Sequence, residues 1–232
     1  MYKQLSNLHR FFVSQMLYPL ILSSLLAMTL YIGRIFISHD WLVYRHMVWN
    51  LFLAWLPYLF SFWAAATQRV FPGRWFLLLL PGAIWLIFFP NAPYIITDFL
   101  HLQQRPYVPL WYDILLLATF SWTGIFLAVA SLKTMQDLIR IYLGSFISWI
   151  FVAVALGMSG LGIYLGRFER WNSWDLFLHP KKIFYDIAVH FADPSEHLHF
   201  FAFTFLFTAF LLVCYLTFIS VRGSDEPKVQ GK

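Results

Sequence analysis

Apolar residues in this chain come in long runs, and its polar residues gather between them. Six runs can be traced, over residues 11–36, 47–66, 75–89, 114–132, 141–165 and 198–221. Five of them are 19 to 26 residues long, enough for a helix to cross a hydrocarbon core of about 30 Å at about 1.5 Å per residue. The third has 15 residues and covers only about 22 Å by the same rise. It must be extended at one end, or it does not cross as a simple helix. The pattern predicts an all-α, polytopic membrane helix bundle of about six transmembrane helices. It forms one domain over residues 1–222, with a polar, disordered tail at 223–232.

Two shorter signals refine this. Between the fifth and sixth runs, Ile183, Phe184, Ile187, Ala188 and Phe191 share one helical face behind Pro180. Proline suits a first helical position, so an amphipathic helix lying in the membrane interface is expected. Asp193, Pro194 and Glu196 then read as N-cap, N1 and N3 of the sixth helix. The first run is too long for the core of a signal peptide and no small-x-small site follows it, so it is expected to be a retained helix.

Composition agrees. The chain is 60% hydrophobic and 12% charged, with a mean hydropathy of +0.67, 26 Phe and 11 Trp, outside the range of soluble domains. The formal charge of +5 is spread between the apolar runs rather than drawn into a stripe. Membrane lipids, not nucleic acid, are the expected partners. The single cysteine, Cys214, excludes an intrachain disulfide. Placing both termini in the cytoplasm puts nine of the sixteen basic residues there: Lys3, Arg10, Arg69, Arg74, Lys133, Arg140, Arg222, Lys228 and Lys232.

Two polar islands interrupt the apolar background, and this topology sets both at the outer face of the bilayer. The first contains Phe89-Pro90-Asn91-Ala92-Pro93-Tyr94 and continues through Thr97, Asp98 and Asp113. Two prolines three apart remove two backbone donors. Either the third helix ends at Phe89 in an interfacial turn, the favoured reading, or it continues broken to Leu102 and lines a cavity. Asp98 is the most telling residue. A carboxylate at mid-helix depth costs about 2.5–3.5 kcal/mol and normally faces a partner or the bundle interior. Asp113 alone reads more simply as a first-turn acid or N-cap.

The second island runs from Gly166 to Asp175 and holds Arg167, Arg170, Trp171, Asn172 and Asp175. Arg167 and Arg170 share a helix face and suit bidentate recognition of phosphate or carboxylate. Equally, Trp and Arg at a helix end mark a membrane interface. His190, His197 and His199 match no recognised ligand spacing, so no metal and no cofactor is expected. No Gly-x-Ser-x-Gly, phosphate loop or dinucleotide fingerprint is present. Ala153 with Gly157 and Gly162 with Gly166 are small-residue pairs expected to pack against another helix.

Residues 49–58, 88–94, 97–98, 111–113 and 162–175 together resemble the bacterial multi-pass family catalogued as domain of unknown function 1361, with the likeness running from about Trp49 to Pro180. The resemblance implies a bacterial plasma (inner) membrane protein and supplies no reaction. The functional expectation is therefore a polar outer-face site that binds or processes a phosphorylated or lipid-linked substrate. In it Asp98 and Asp113 are carboxylates for acid–base chemistry. Asn91, Tyr94, Thr97, Asn172 and Asp175 are polar contacts, and Arg167 with Arg170 is an anion clamp. A small transporter or channel subunit, or a non-catalytic partner in an envelope complex, is the competing reading.

Overall fold

A computed structural model of the chain describes residues 9, 11–13 and 15–223, so the tail expected at 223–232 lies almost wholly outside the described residues. The chain divides into two compact units, one ending at Ser148 and one beginning at Trp149.

The fold is all-α. An isolated antiparallel bridge between Arg105 and Val108 is the only β pairing among the described residues. The helices are α1 (Leu17–Ser38), α2 (Arg45–Val70), α3 (Leu79–Phe88), α4 (Asn91–Tyr94), α5 (Leu110–Arg167), α6 (Asp175–Leu178), α7 (Pro180–Ala192) and α8 (Leu198–Gly223). Short 3-10 segments, Trp75–Leu78 and Ile95–His101, flank α3 and α4. Five stretches are long and apolar enough to cross a membrane: Leu17–Ser38, Arg45–Val70, Trp75–His101, Leu110–Arg167 and Leu198–Val221. The fourth has 58 residues, about 87 Å at the helical rise and far more than one crossing. It contains the fourth and fifth apolar runs and leaves helical geometry at Gly144 (φ 83°, ψ 174°), a conformation nearly restricted to glycine. It is thus two helices meeting at Gly144, and the five apolar stretches hold all six apolar runs.

In the first unit, α1 starts later than the apolar run beneath it, because Met16 turns left-handed (φ 59°) immediately before it. The core is built from Leu20, Ala27, Met47, Leu51, Ala54, Trp85, Phe89, Leu116 and Phe120. Trp85 stacks on Phe89 with ring centroids 4.5 Å apart. Leu22, Leu25, Phe36, Phe52, Leu79 and Leu80 are exposed, as expected of helix faces that meet lipid rather than water.

The second unit joins the end of α5 to α6, α7 and α8. As expected, α7 begins at Pro180. Its apolar stripe is divided, with Ile183 buried and Phe184 and Phe191 exposed. The residues from Asp193 to His197 form a turn, and α8 starts only at Leu198. The Asp193 side chain accepts a hydrogen bond from Ser195 Oγ at 2.7 Å instead of capping the helix. The close helix contact lies at Gly160, where an added Cβ would sit 2.6 Å from Thr208 Oγ1 and 2.8 Å from the Thr204 carbonyl. Gly157, expected in that role, faces open space.

Candidate functional site

The third apolar run ends its first helix at Phe88 and passes through a turn at Phe89 and Pro90 before α4, without opening into a loop. Phe89, Pro90, Tyr94 and Ile95 all keep right-handed helical angles. Missing proline donors are handled locally. The Ala92 amide donates to the Phe89 carbonyl at 3.2 Å, a tightened pattern, and Asn91 Nδ2 takes up the Phe88 carbonyl at 3.0 Å. Thr97 Oγ1 likewise donates to the Tyr94 carbonyl at 2.7 Å. Asn91 and Thr97 therefore serve their own backbone. Tyr94 is half-buried beside them. Against this segment α5 comes very close: a Cβ added at Gly124 would lie 2.4 Å from the Ala92 carbonyl oxygen.

Tightening into a 3-10 helix has a consequence for Asp98. In that geometry residues three apart eclipse one another, so Asp98 and His101 stand in one column. Opposite them, His46 and Asn50 are four apart at the start of α2 and share its face. The four side chains meet. Asp98 is 1% exposed. Asn50 Nδ2 donates to its Oδ2 at 2.9 Å, and His46 Nε2 lies 3.8 Å from its Oδ1. The His46 ring meets His101 edge-on, with centroids 5.1 Å apart. One donor atom from each of His46, Asp98 and His101 falls within 4.8 Å of the others. No other trio of His, Cys, Asp or Glu among the described residues is gathered this way.

Asp113 sits in the adjoining half of the same polar end. Arg34, from the last turns of α1, grips it with two hydrogen bonds, Nε to Oδ1 at 2.8 Å and Nη2 to Oδ2 at 3.3 Å. Both side chains are 1% exposed. Tyr44 Oη donates to Asp113 Oδ2 at 3.5 Å, and the Arg34 and Arg105 guanidiniums lie 5.0 and 5.8 Å from the Tyr44 ring centre. Burial, and next the Asp113 charge, raise the Tyr44 phenol above its ordinary range, against the lowering effect of Arg105 and Arg34. Asp113 is thus bound up in a planar pair that ties the end of α1 to the start of α5, which leaves Asp98 as the carboxylate flanked by imidazoles. Tyr44 touches His46 at 6.3 Å between ring centres, so the two halves are continuous.

The second island belongs to the second unit and is organised differently. Arg167 closes α5, and Arg170 is exposed with a left-handed backbone (φ 60°). Asn172 and Asp175 bond to each other: the Asn172 amide and Nδ2 both donate to Asp175 Oδ2, at 2.8 and 3.2 Å. Together with the Asp175 amide, which donates to the Asn172 carbonyl at 3.0 Å, these bonds close a tight turn just ahead of the short α6. Trp171 Nε1 donates to Asp186 Oδ2 at 3.1 Å, and Lys182 lies over the Trp171 ring at 5.1 Å. His190 is buried, donates from Nδ1 to the Asp186 carbonyl (2.7 Å), and packs on His197 and Phe200.

Arg34, Tyr44, His46, Asn50, His101 and Arg105 enter the site without having been singled out from sequence. Spacing carried a partial signal: His46 and Asn50 at i, i+4 and Asp98 and His101 at i, i+3 each place two polar groups on one helical face.

The sequence profile of a family described as protein of unknown function (DUF1361) matches residues 49–214. This chain belongs to that family. The match takes in Asn50, Asp98, His101 and Asp113, and extends past Pro180 through most of α8. No curated protein and no solved structure matches the chain.

Proposed function

We propose, with membership of that family as the premise, that this membrane protein binds a phosphorylated or lipid-linked ligand at the polar end of its first unit. That end faces outward across a bacterial plasma membrane in this reading, with both termini inside. The observation that carries it is Asp98: a buried carboxylate inside an apolar helix segment, steadied by Asn50 and flanked by His46 and His101. Acid–base groups collected at one membrane depth are rarely accommodated without use. Any chemistry on the ligand would run through Asp98 as proton acceptor. Arg105, at the rim beside Tyr44, adds positive charge for an anionic headgroup. Arg167 and Arg170 are proposed separately as anion contacts of the second unit.

Native mass spectrometry with lipid analysis tests this on protein purified in mild detergent. Wild type should retain a defined phosphorylated lipid, and Asp98→Asn should lose it while unfolding at an unchanged temperature. Equal lipid content in both proteins, or a nonspecific mixture in wild type, contradicts the proposal.

A further inference from the structure

We infer that His46, Asp98 and His101 form a binding site for one divalent first-row transition cation of the zinc type. The inference deepens the reading above and rests on the same end of the first unit, but not on the identity of the lipid.

The donor chemistry comes first. Two imidazoles and one carboxylate suit zinc and its neighbours, whereas magnesium and calcium prefer all-oxygen sets. Three protein ligands leave a further coordination position for water or a substrate oxygen. The geometry is nearly assembled. Ligand atoms around a tetrahedral ion, each about 2.0–2.1 Å from it, stand about 3.3 Å apart. His46 Nε2 and Asp98 Oδ1 are already 3.8 Å apart, and the full trio lies within 4.8 Å. The remaining closure falls to His101, an exposed side chain at the end of its segment.

Orientation supports the same assignment. The His46 side chain is 41% exposed, yet its Nε2 is buried and turned toward Asp98. Asn50 holds the far oxygen of Asp98, Oδ2, and so leaves Oδ1 facing the imidazole. A hydrogen bond to the non-ligating oxygen is what a carboxylate ligand requires of its surroundings. Exposed His101 gives the ion an entry path.

The test uses the full chain in detergent, stripped with a chelator and titrated with Zn2+ by calorimetry and with Co2+ by visible absorption. Wild type should take up one ion per chain, with cobalt bands of a four- or five-coordinate nitrogen–oxygen site. His101→Ala should weaken binding by at least about tenfold, and Asn50→Ala by about 10- to 100-fold through the misplaced carboxylate. His179→Ala, exposed in the second unit, should bind as wild type. Because His101 is exposed, its alanine variant is expected to fold, which a matched unfolding temperature checks even if His46→Ala does not survive purification. Absence of uptake by wild type, or unchanged affinity in His101→Ala, overturns the site. Lipid retained without metal would end this inference and leave the ligand reading intact. Metal bound without lipid would do the reverse.

Discussion

The two polar islands look alike in sequence, each a cluster of charged, amide and aromatic residues breaking an apolar background, yet they are put to different uses. In the first unit the polar groups are buried and reach across the fold: Arg34 to Asp113, Asn50 and His46 to Asp98. In the second, Asn172 and Asp175 bond within three residues of each other on an exposed turn. Burial separates the two cases. A desolvated charge must find a partner of matching geometry wherever in the chain it lies, while an exposed one is satisfied by water and by its own backbone. Polar density in a membrane sequence therefore marks a candidate, and long-range partners mark a site.

The largest expected effect breaks the first island. Arg34→Leu or Asp113→Leu leaves a buried charge without its partner and should cost about 3–5 kcal/mol, while the double substitution should recover most of that loss. Thermal unfolding in detergent, run as a double-mutant cycle, reads this directly. Next is the contact that carries the tightened segment. Gly124→Ala drives a Cβ into the Ala92 carbonyl and should cost about 1–3 kcal/mol, with loss of whatever depends on the Asp98–His101 column. In the second island, Asn172→Ala removes the side-chain bond to Asp175, should cost about 1 kcal/mol, the worth of one hydrogen bond, and should leave the first unit's ligand content unchanged. Smallest of all, Lys133→Ala removes a partly exposed i, i+4 pair with Asp137 and should shift stability by no more than about 0.5 kcal/mol. If this partly exposed pair proved as costly to break as Arg34–Asp113, burial would not be what distinguishes the two islands.

How much of this was legible beforehand follows the range of the interactions. The apolar runs depend on composition over some twenty residues, and they located the helices to within a few positions. Asp98 was recognisable alone, because a carboxylate between Ile95-Ile96 and Phe99-Leu100 is costly wherever it ends up. Its partners were not. Asn50 is 48 residues away and Arg34 is 79 from Asp113, and no periodicity reports a contact over that separation. Arg34 read only as a basic residue near a helix end. The prolines were legible only in part. Pro90 and Pro93 argue for a turn, and one stands at Phe89 and Pro90, but the Ala92 amide takes up the Phe89 carbonyl that Pro93 orphans and the backbone stays right-handed into the 3-10 segment ending at His101. The expected caps at Asp193 and Glu196 did not form because α8 begins only at Leu198, which leaves both residues ahead of its first turn.

The central claim is that Asp98 is the centre of a working site rather than a structural carboxylate. Lipid retention and unfolding temperature, measured together on wild type and Asp98→Asn in the same detergent, test it most directly. The account predicts unchanged unfolding with a specific phosphorylated lipid lost from the variant. A variant that unfolds several degrees lower while keeping the same lipid would contradict it, and would place Asp98 beside Asp113 as part of the scaffold.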